Sequence, residues 1–128
     1  MRKSFGALAA LALAAVAAPA SAHHSFNMFA LDKVVTVQAT VKTGSWKMPH
    51  VWFYVIVPGA NGPEEWGMEG HAPNLIARKG WTSSTLKPGD KVSIAMHPMK
   101  DGSKAGSLIY ATLSSGKVLW NADSLTNP

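Results

Sequence analysis

Three features predict an all-β fold. Short stretches of strand character recur along the chain, Gly/Pro-rich turn clusters separate them, and a single short helical segment falls between the third and fourth. That order is the order of an OB-fold. The expectation is therefore a five- to six-stranded antiparallel OB-like barrel with one short helix between strands 3 and 4. A small open β-sandwich has the same periodicities, but closure has the advantage of removing apolar strand edges.

The elements follow in order. Val34 to Thr43 alternates, with Val35, Val37, Ala39 and Val41 on one face and Thr36, Gln38, Thr40 and Lys42 on the other, which is a half-buried strand. Gly44 to Pro49 breaks it. Val51 to Val57 is apolar throughout and reads as a central strand covered on both faces. Pro58 to Pro63 is a turn cluster, after which Glu64 to Glu69 returns with Trp66 and Met68 on one face. Pro73 suits a first helical turn, Leu75 and Ile76 supply the buried side, Arg78 and Lys79 face the negative end of the dipole, and Gly80 stops the helix. Pro88-Gly89 predicts a type II turn. Val92, Ile94 and Met96 alternate into a fourth strand, Leu108 to Leu113 is a fifth, and Val118 to Trp120 extends or adds to it. Val35, Val37, Val55, Trp66, Ile94 and Leu108 are the expected core.

Composition limits the rest. Arg2 and Lys3, the apolar run Phe5 to Ala18 and the small-x-small Ala20-Ser21-Ala22 together read as a secretory signal peptide, too short to span a membrane comfortably. The expected organisation is a signal peptide over 1–22, an irregular leader over 23–33, one β domain over 34–120 and a loose tail over 121–128. Such a signal segment would direct the protein out of the cytoplasm. Without Arg2 and Lys3, 10 basic residues face 7 acidic ones, a net charge of +3 rather than +5. The basic residues are scattered, so nucleic acid is not an expected partner. The chain of 128 residues has no cysteine, which excludes disulfide staples and thiolate metal sites and leaves stability to the core. Catalysis is not expected either: there is no cysteine nucleophile, G-x-S-x-G elbow or H-E-x-x-H helix. Glu65 and Glu69 fall on the face opposite Trp66 and Met68 and are expected in solvent.

What remains is a binding role. Cleavage after Ala22 would make His23 the first residue, and its α-amine and imidazole together form a chelate suited to Cu(II). His24 supplies a second imidazole. Met48-Pro49-His50 precedes the second strand, and His97-Pro98-Met99 ends the fourth, so His50, His97 and Met99 are further candidate copper ligands. In an OB barrel the loop after strand 1 and the loop after strand 4 flank the usual binding face. Trp46, Met48, Trp52 and Lys100 would then form a binding rim around His50 and Met99. Two functions from different classes follow: a copper-binding periplasmic domain, or a metal-free module that binds a peptide, glycan or protein partner through the aromatic rim. His71, just ahead of the helix, is a further candidate, although a lone loop histidine is usually only solvated.

Several motifs together resemble one family: Ala22-His23-His24-Ser25-Phe26, Pro49-His50-Val51-Trp52, Trp66 with Glu69-Gly70, Pro73-Asn74, Gly80-Trp81 and Leu86-Lys87-Pro88-Gly89-Asp90. It is a family of small secreted proteins of Gram-negative bacteria, grouped as a domain of unknown function. The resemblance runs from the signal segment to about Leu119 and implies an exported, cysteine-free β-barrel-like domain, with no activity attached. The family usually has Asn-Pro-His where Met48-Pro49-His50 stands, and Gly-Ser where His71-Ala72 stands. Both departures add soft or imidazole donors here.

The mature N-terminus is directly testable. The intact mass of exported protein should correspond to a chain beginning at His23; cleavage one residue to either side would remove the His23 amine chelate.

Overall fold

The computed structural model describes residues 26–121. The signal segment, the His23-His24 pair and tail residues 122–128 lie outside the described residues.

A single 3₁₀ turn, Phe26–Met28, leads into six strands and one helix: β1 Val35–Ser45, β2 Trp52–Gly59, β3 Gly62–Glu69, α1 Pro73–Ala77, β4 Lys91–Pro98, β5 Ala105–Leu113 and β6 Val118–Trp120. The sheet order is β3-β2-β1-β4-β5-β6, and an extra pairing of β3 with β5 closes five strands into a barrel. The helix falls between β3 and β4, as expected. Neighbouring strands are antiparallel, whereas the closing β3–β5 pair is parallel, with Gly67, Met68 and Glu69 opposite Ala105, Gly106 and Ser107.

β1 is long because it serves two partners. Val35 to Thr40 pairs with β4, and Thr40 to Ser45 pairs with β2, with a register shift between Val41 and Thr43. A bulge of this kind bends a strand, which curls the sheet towards closure. A second shift lies between Ala95 and Met96 on β4. Further along, opposite Pro98, Gly106 passes so near that a Cβ there would sit 2.8 Å from the His97 carbonyl oxygen. Only glycine allows this approach. Gly89 has φ +93°, and the Asp90 N–H donates to the Lys87 carbonyl at 3.0 Å, the geometry of the expected type II turn.

The barrel interior follows the alternation. Val37, Ala39 and Val41 of β1, Phe53, Val55 and Val57 of β2, Met68 of β3, Val92, Ile94 and Met96 of β4 and Leu108 and Ala111 of β5 are buried together. α1 closes one opening by inserting Ile76, and Trp81 after it stacks on Phe53 at 5.3 Å. The Trp81 indole N–H donates to the Trp120 carbonyl at 2.8 Å, so a buried polar atom is satisfied while β6 is tied to the plug.

Several local expectations change. β2 buries only the face of Phe53, Val55 and Val57; Trp52, Tyr54 and Ile56 on the other face are half-buried, because no element among the described residues packs over that side as a second layer. Val35 and Trp66 are likewise half-buried. Trp66 keeps an edge outward because its indole N–H donates to Glu64, while the Lys104 ammonium stands 5.1 Å from its ring centre. Leu75 is 45% exposed: a five-residue helix turns one side chain inward, and that is Ile76. Arg78 is the C-cap rather than part of the last turn, and Lys79 lies beyond it.

Ile94 is fully buried among these strands. Ile94→Ala should lower unfolding stability by about 2–5 kcal/mol, by lost transfer energy and a residual cavity. Leu75→Ala, at an exposed position, should change it by about 0.5 kcal/mol or less. Urea denaturation of both variants checks the pair.

Candidate functional site

Barrel closure sets up a polar row on the outside of the sheet. Ser107 on β5 has Glu69 of β3 as its partner on one side and His97 of β4 on the other. Register partners point to the same face. The leader lies across this row. Phe29 forms a bridge with Met99, the Ala30 N–H donates to the Pro98 carbonyl at 2.8 Å, and the Lys100 N–H donates to the Met28 carbonyl at 3.0 Å.

The cover explains why Glu69 departs from expectation. It is 6% exposed rather than solvated, because the leader and Asn121 occupy the space over its face. Asn121, the first residue of the expected tail, is itself buried. Its Oδ1 accepts from the His71 N–H at 2.8 Å, and its Nδ2 donates to the Leu108 carbonyl at 2.9 Å. It thereby joins β5 to the segment between β3 and α1.

These contacts enclose a small cavity of about 20 Å³, lined by Phe29, His50, Glu69, Gly70, His71, Ser107 and Asn121. Such a volume accommodates about one water-sized occupant. His50 Nδ1 lies 3.2 Å from the Gly70 carbonyl and 3.4 Å from Glu69 Oε1. The carbonyl can only accept, so this contact puts the hydrogen on Nδ1 and leaves the lone pair on Nε2. Glu69 Oε2 is buried and has no hydrogen-bond partner. His71 is half-buried, and its pKa lies below the ordinary histidine value. Burial, which disfavours the cation, is the main cause; His50 adds to it and Glu69 opposes it.

The other expected site residues are dispersed. His97 is buried, and its Nδ1 donates to the Lys33 carbonyl at 2.7 Å, tying β4 to the leader. Met99 holds Phe29 through the backbone. Met48 is 70% exposed on its loop, while Trp46 packs against the core. Trp52 stacks with Tyr54, ring centres 6.2 Å apart. Lys100 donates to the Asn27 side chain at 3.2 Å and lines a separate depression with Leu31 and Asp32. The loops after β1 and β4 thus meet through Phe29, which lines the cavity with His50 and pairs with Met99. Among the described residues, no three His, Asp or Glu side chains form a group able to hold a metal on their own. A larger open depression of about 400 Å³, between β1, β4 and the end of β5, is lined without any histidine or carboxylate.

Residues 10–108 match the family of unknown function DUF6152. The chain belongs to this family. The match spans the leader, His50, the Glu69-Gly70 pair and the strands that bring them together, and it carries no activity. No curated protein matches the chain. Among the described residues, no helix is long and apolar enough to cross a membrane.

Of the residues in this corner, Glu69 was hidden from sequence reasoning, whereas His71 was visible there as a further candidate. The period of β3 put Glu69 on the outer face correctly, but that the leader would cover the face is a long-range fact. The adjacent Gly70 belongs to the same close packing, since a Cβ there would meet the Asn121 side chain at 3.2 Å.

His71 gives a pH dependence. Its folded pKa is lower than its unfolded one, so the unfolded chain binds the proton more readily. The contribution is present above the ordinary histidine pKa of about 6.5 and is lost as pH falls through the lower folded value. In chelator-treated protein, thermal stability should drop as pH falls below about 6.5, and His71→Gln should flatten that part of the profile.

Proposed function

We propose that this protein is an exported periplasmic domain that binds copper, with a binding role rather than a catalytic one. The primary chelate is the His23 amine and imidazole, joined by His24. The observation that carries this reading is the path of the leader. Phe29 lines the cavity that holds His50, Glu69 and His71, and the chain between it and Phe26 is a single 3₁₀ turn. At about 2 Å per residue in that turn and at most about 3.6 Å per residue before it, His24 lies within roughly 13 Å of chain from Phe29. A metal held at the start of the mature chain is therefore within reach of the barrel's own imidazoles. His97 and Met99 are left the role of anchoring the leader.

The second reading, a metal-free module for a peptide, glycan or protein, draws support from the stacked Trp52 and Tyr54. Both rings are half-buried and lie over Gly67, where a Cβ would touch them at 3.5 and 3.6 Å.

Acetylation of the His23 amine separates the two. It removes the amine donor and leaves the barrel untouched. Cu(II) affinity of the tag-free mature protein should fall at least about tenfold, roughly 1.4 kcal/mol. Equal binding by the acetylated and native proteins would rule out the N-terminal chelate and favour the aromatic module.

A further inference from the structure

We propose that the depression between β1, β4 and the end of β5 binds an acidic saccharide, with a sugar carboxylate at Lys91 and the ring hydroxyls among the side chains around it. This rests on the metal-free reading above, to which it gives a ligand class, and it does not involve the copper chelate.

Three observations carry the assignment. The first is the lining. Gln38, Ser93 and Thr112 are register partners across β1, β4 and β5, and Thr40 and Lys91 form the next row. With Ser114 they border a space of about 400 Å³. Small-molecule sites span roughly 300–1,000 Å³. Hydroxyls and an amide both donate and accept, so the matching ligand does the same, as sugar hydroxyls do. The second is order before binding. Gln38 Nε2 donates to Ser93 Oγ at 3.0 Å, and Lys91 Nζ donates to Thr40 Oγ1 at 2.7 Å. Each hydroxyl, having accepted, keeps its own hydrogen to give to a ligand. Four side chains are thus placed in advance, which lowers the cost of ordering them around a ligand. The third is charge. Among the described residues of this lining, Lys91 is the one charged side chain. Glu65, the register partner of Ile56, is held by Lys42. A fixed cation with no acid in the lining favours a ligand that carries a carboxylate. One cation does not suit a nucleic-acid backbone, which engages several.

The site continues along β2. A second depression of about 220 Å³ adjoins the first, since Thr40 and Pro58 line both, and Ile56 borders it. Tyr54 and then Trp52 follow Ile56 on the same face, at steps of about 7 Å along the strand. Their ring planes differ by only 14°. The C–H face of a sugar ring packs on flat apolar surfaces of this kind, so a longer chain runs from Lys91 past Pro58 and Ile56 towards the two rings.

The test uses the tag-free mature protein after chelator treatment. The probe is a trisaccharide ending in one glucuronate, compared with the same trisaccharide after reduction of its carboxylate to an alcohol. In ¹H–¹⁵N NMR spectra the acidic sugar should shift the amides of Gln38, Ser93 and Thr112 and leave that of Leu75 in place. Lys91→Gln should weaken its binding about tenfold and bring the two sugars to equal affinity. Added salt should weaken acidic-sugar binding by the wild type and not by Lys91→Gln. Thr112→Val, which removes a hydroxyl and keeps the side chain's shape, should weaken both sugars severalfold with the melting temperature unchanged. Equal affinity of the wild type for the two sugars would overturn the role of Lys91. Shifts that are absent, or that leave out Gln38, Ser93 and Thr112, would overturn the site. The Cu(II) comparison with acetylated His23 tells the failures apart. With neither sugar bound, equal Cu(II) binding discards the saccharide and keeps a metal-free module, whereas a tenfold loss on acetylation discards both.

Discussion

The parallel pairing of β3 with β5 is the contact on which the rest of the molecule depends. Three register pairs, Gly67 to Glu69 against Ala105 to Ser107, turn an open sheet into a barrel. Without them Met68 and Leu108 would face each other across an unsealed seam, and the row formed by Glu69, Ser107 and His97 would not exist. The closure is sterically demanding. Gly106 must run against Met96 and the His97 backbone, which is possible only because it has no side chain. Core packing, the bulge in β5 and the polar row are in this sense one structural event.

The leader is the second consequence. A barrel of this size has an outer face that needs no cover, and the alternation of β3 and β5 places polar residues there. Here residues 26–33 cross that face, held by the Phe29–Met99 bridge, the Ala30 amide and His97 at the Lys33 carbonyl. Asn121 closes the other side by bonding to both His71 and Leu108. Covering a carboxylate is unfavourable unless something compensates it. Glu69 is compensated only in part, by His50 at 3.4 Å. The incompletely partnered carboxylate makes this corner, rather than the larger depression between β1, β4 and the end of β5, the place where the fold carries unspent interaction energy.

Much of the architecture was legible in the residues because it rests on local periodicity. Alternation marked Val37, Ala39, Val41, Ile94 and Met96 as inward, Pro88-Gly89 marked its turn, and Pro73 marked the start of the helix. The strand–helix–strand order then led to the barrel. Periodicity failed where exposure depended on what lay above a strand. Val51 to Val57 was apolar at every position, yet one face has only partial cover. Leu75 and Ile76 were equivalent by composition, and only the brevity of the helix chose Ile76.

The candidate site divides along the same line. The sequence by itself determined the all-β class, the helix between β3 and β4, His50 as a residue of the loop after β1, and the donor-rich His23-His24 pair. These follow from side-chain chemistry and from short-range spacing. Only the tertiary structure decided that Glu69 is buried, that its partner is His50, that Asn121 anchors His71, and that His97 serves the leader. Each joins residues well apart along the chain, and which segments meet is set by barrel closure and by the leader's course across the sheet. No local pattern encodes the burial of a residue by a segment 40 positions away, so a glutamate with the periodicity of a solvent-facing residue became the buried one.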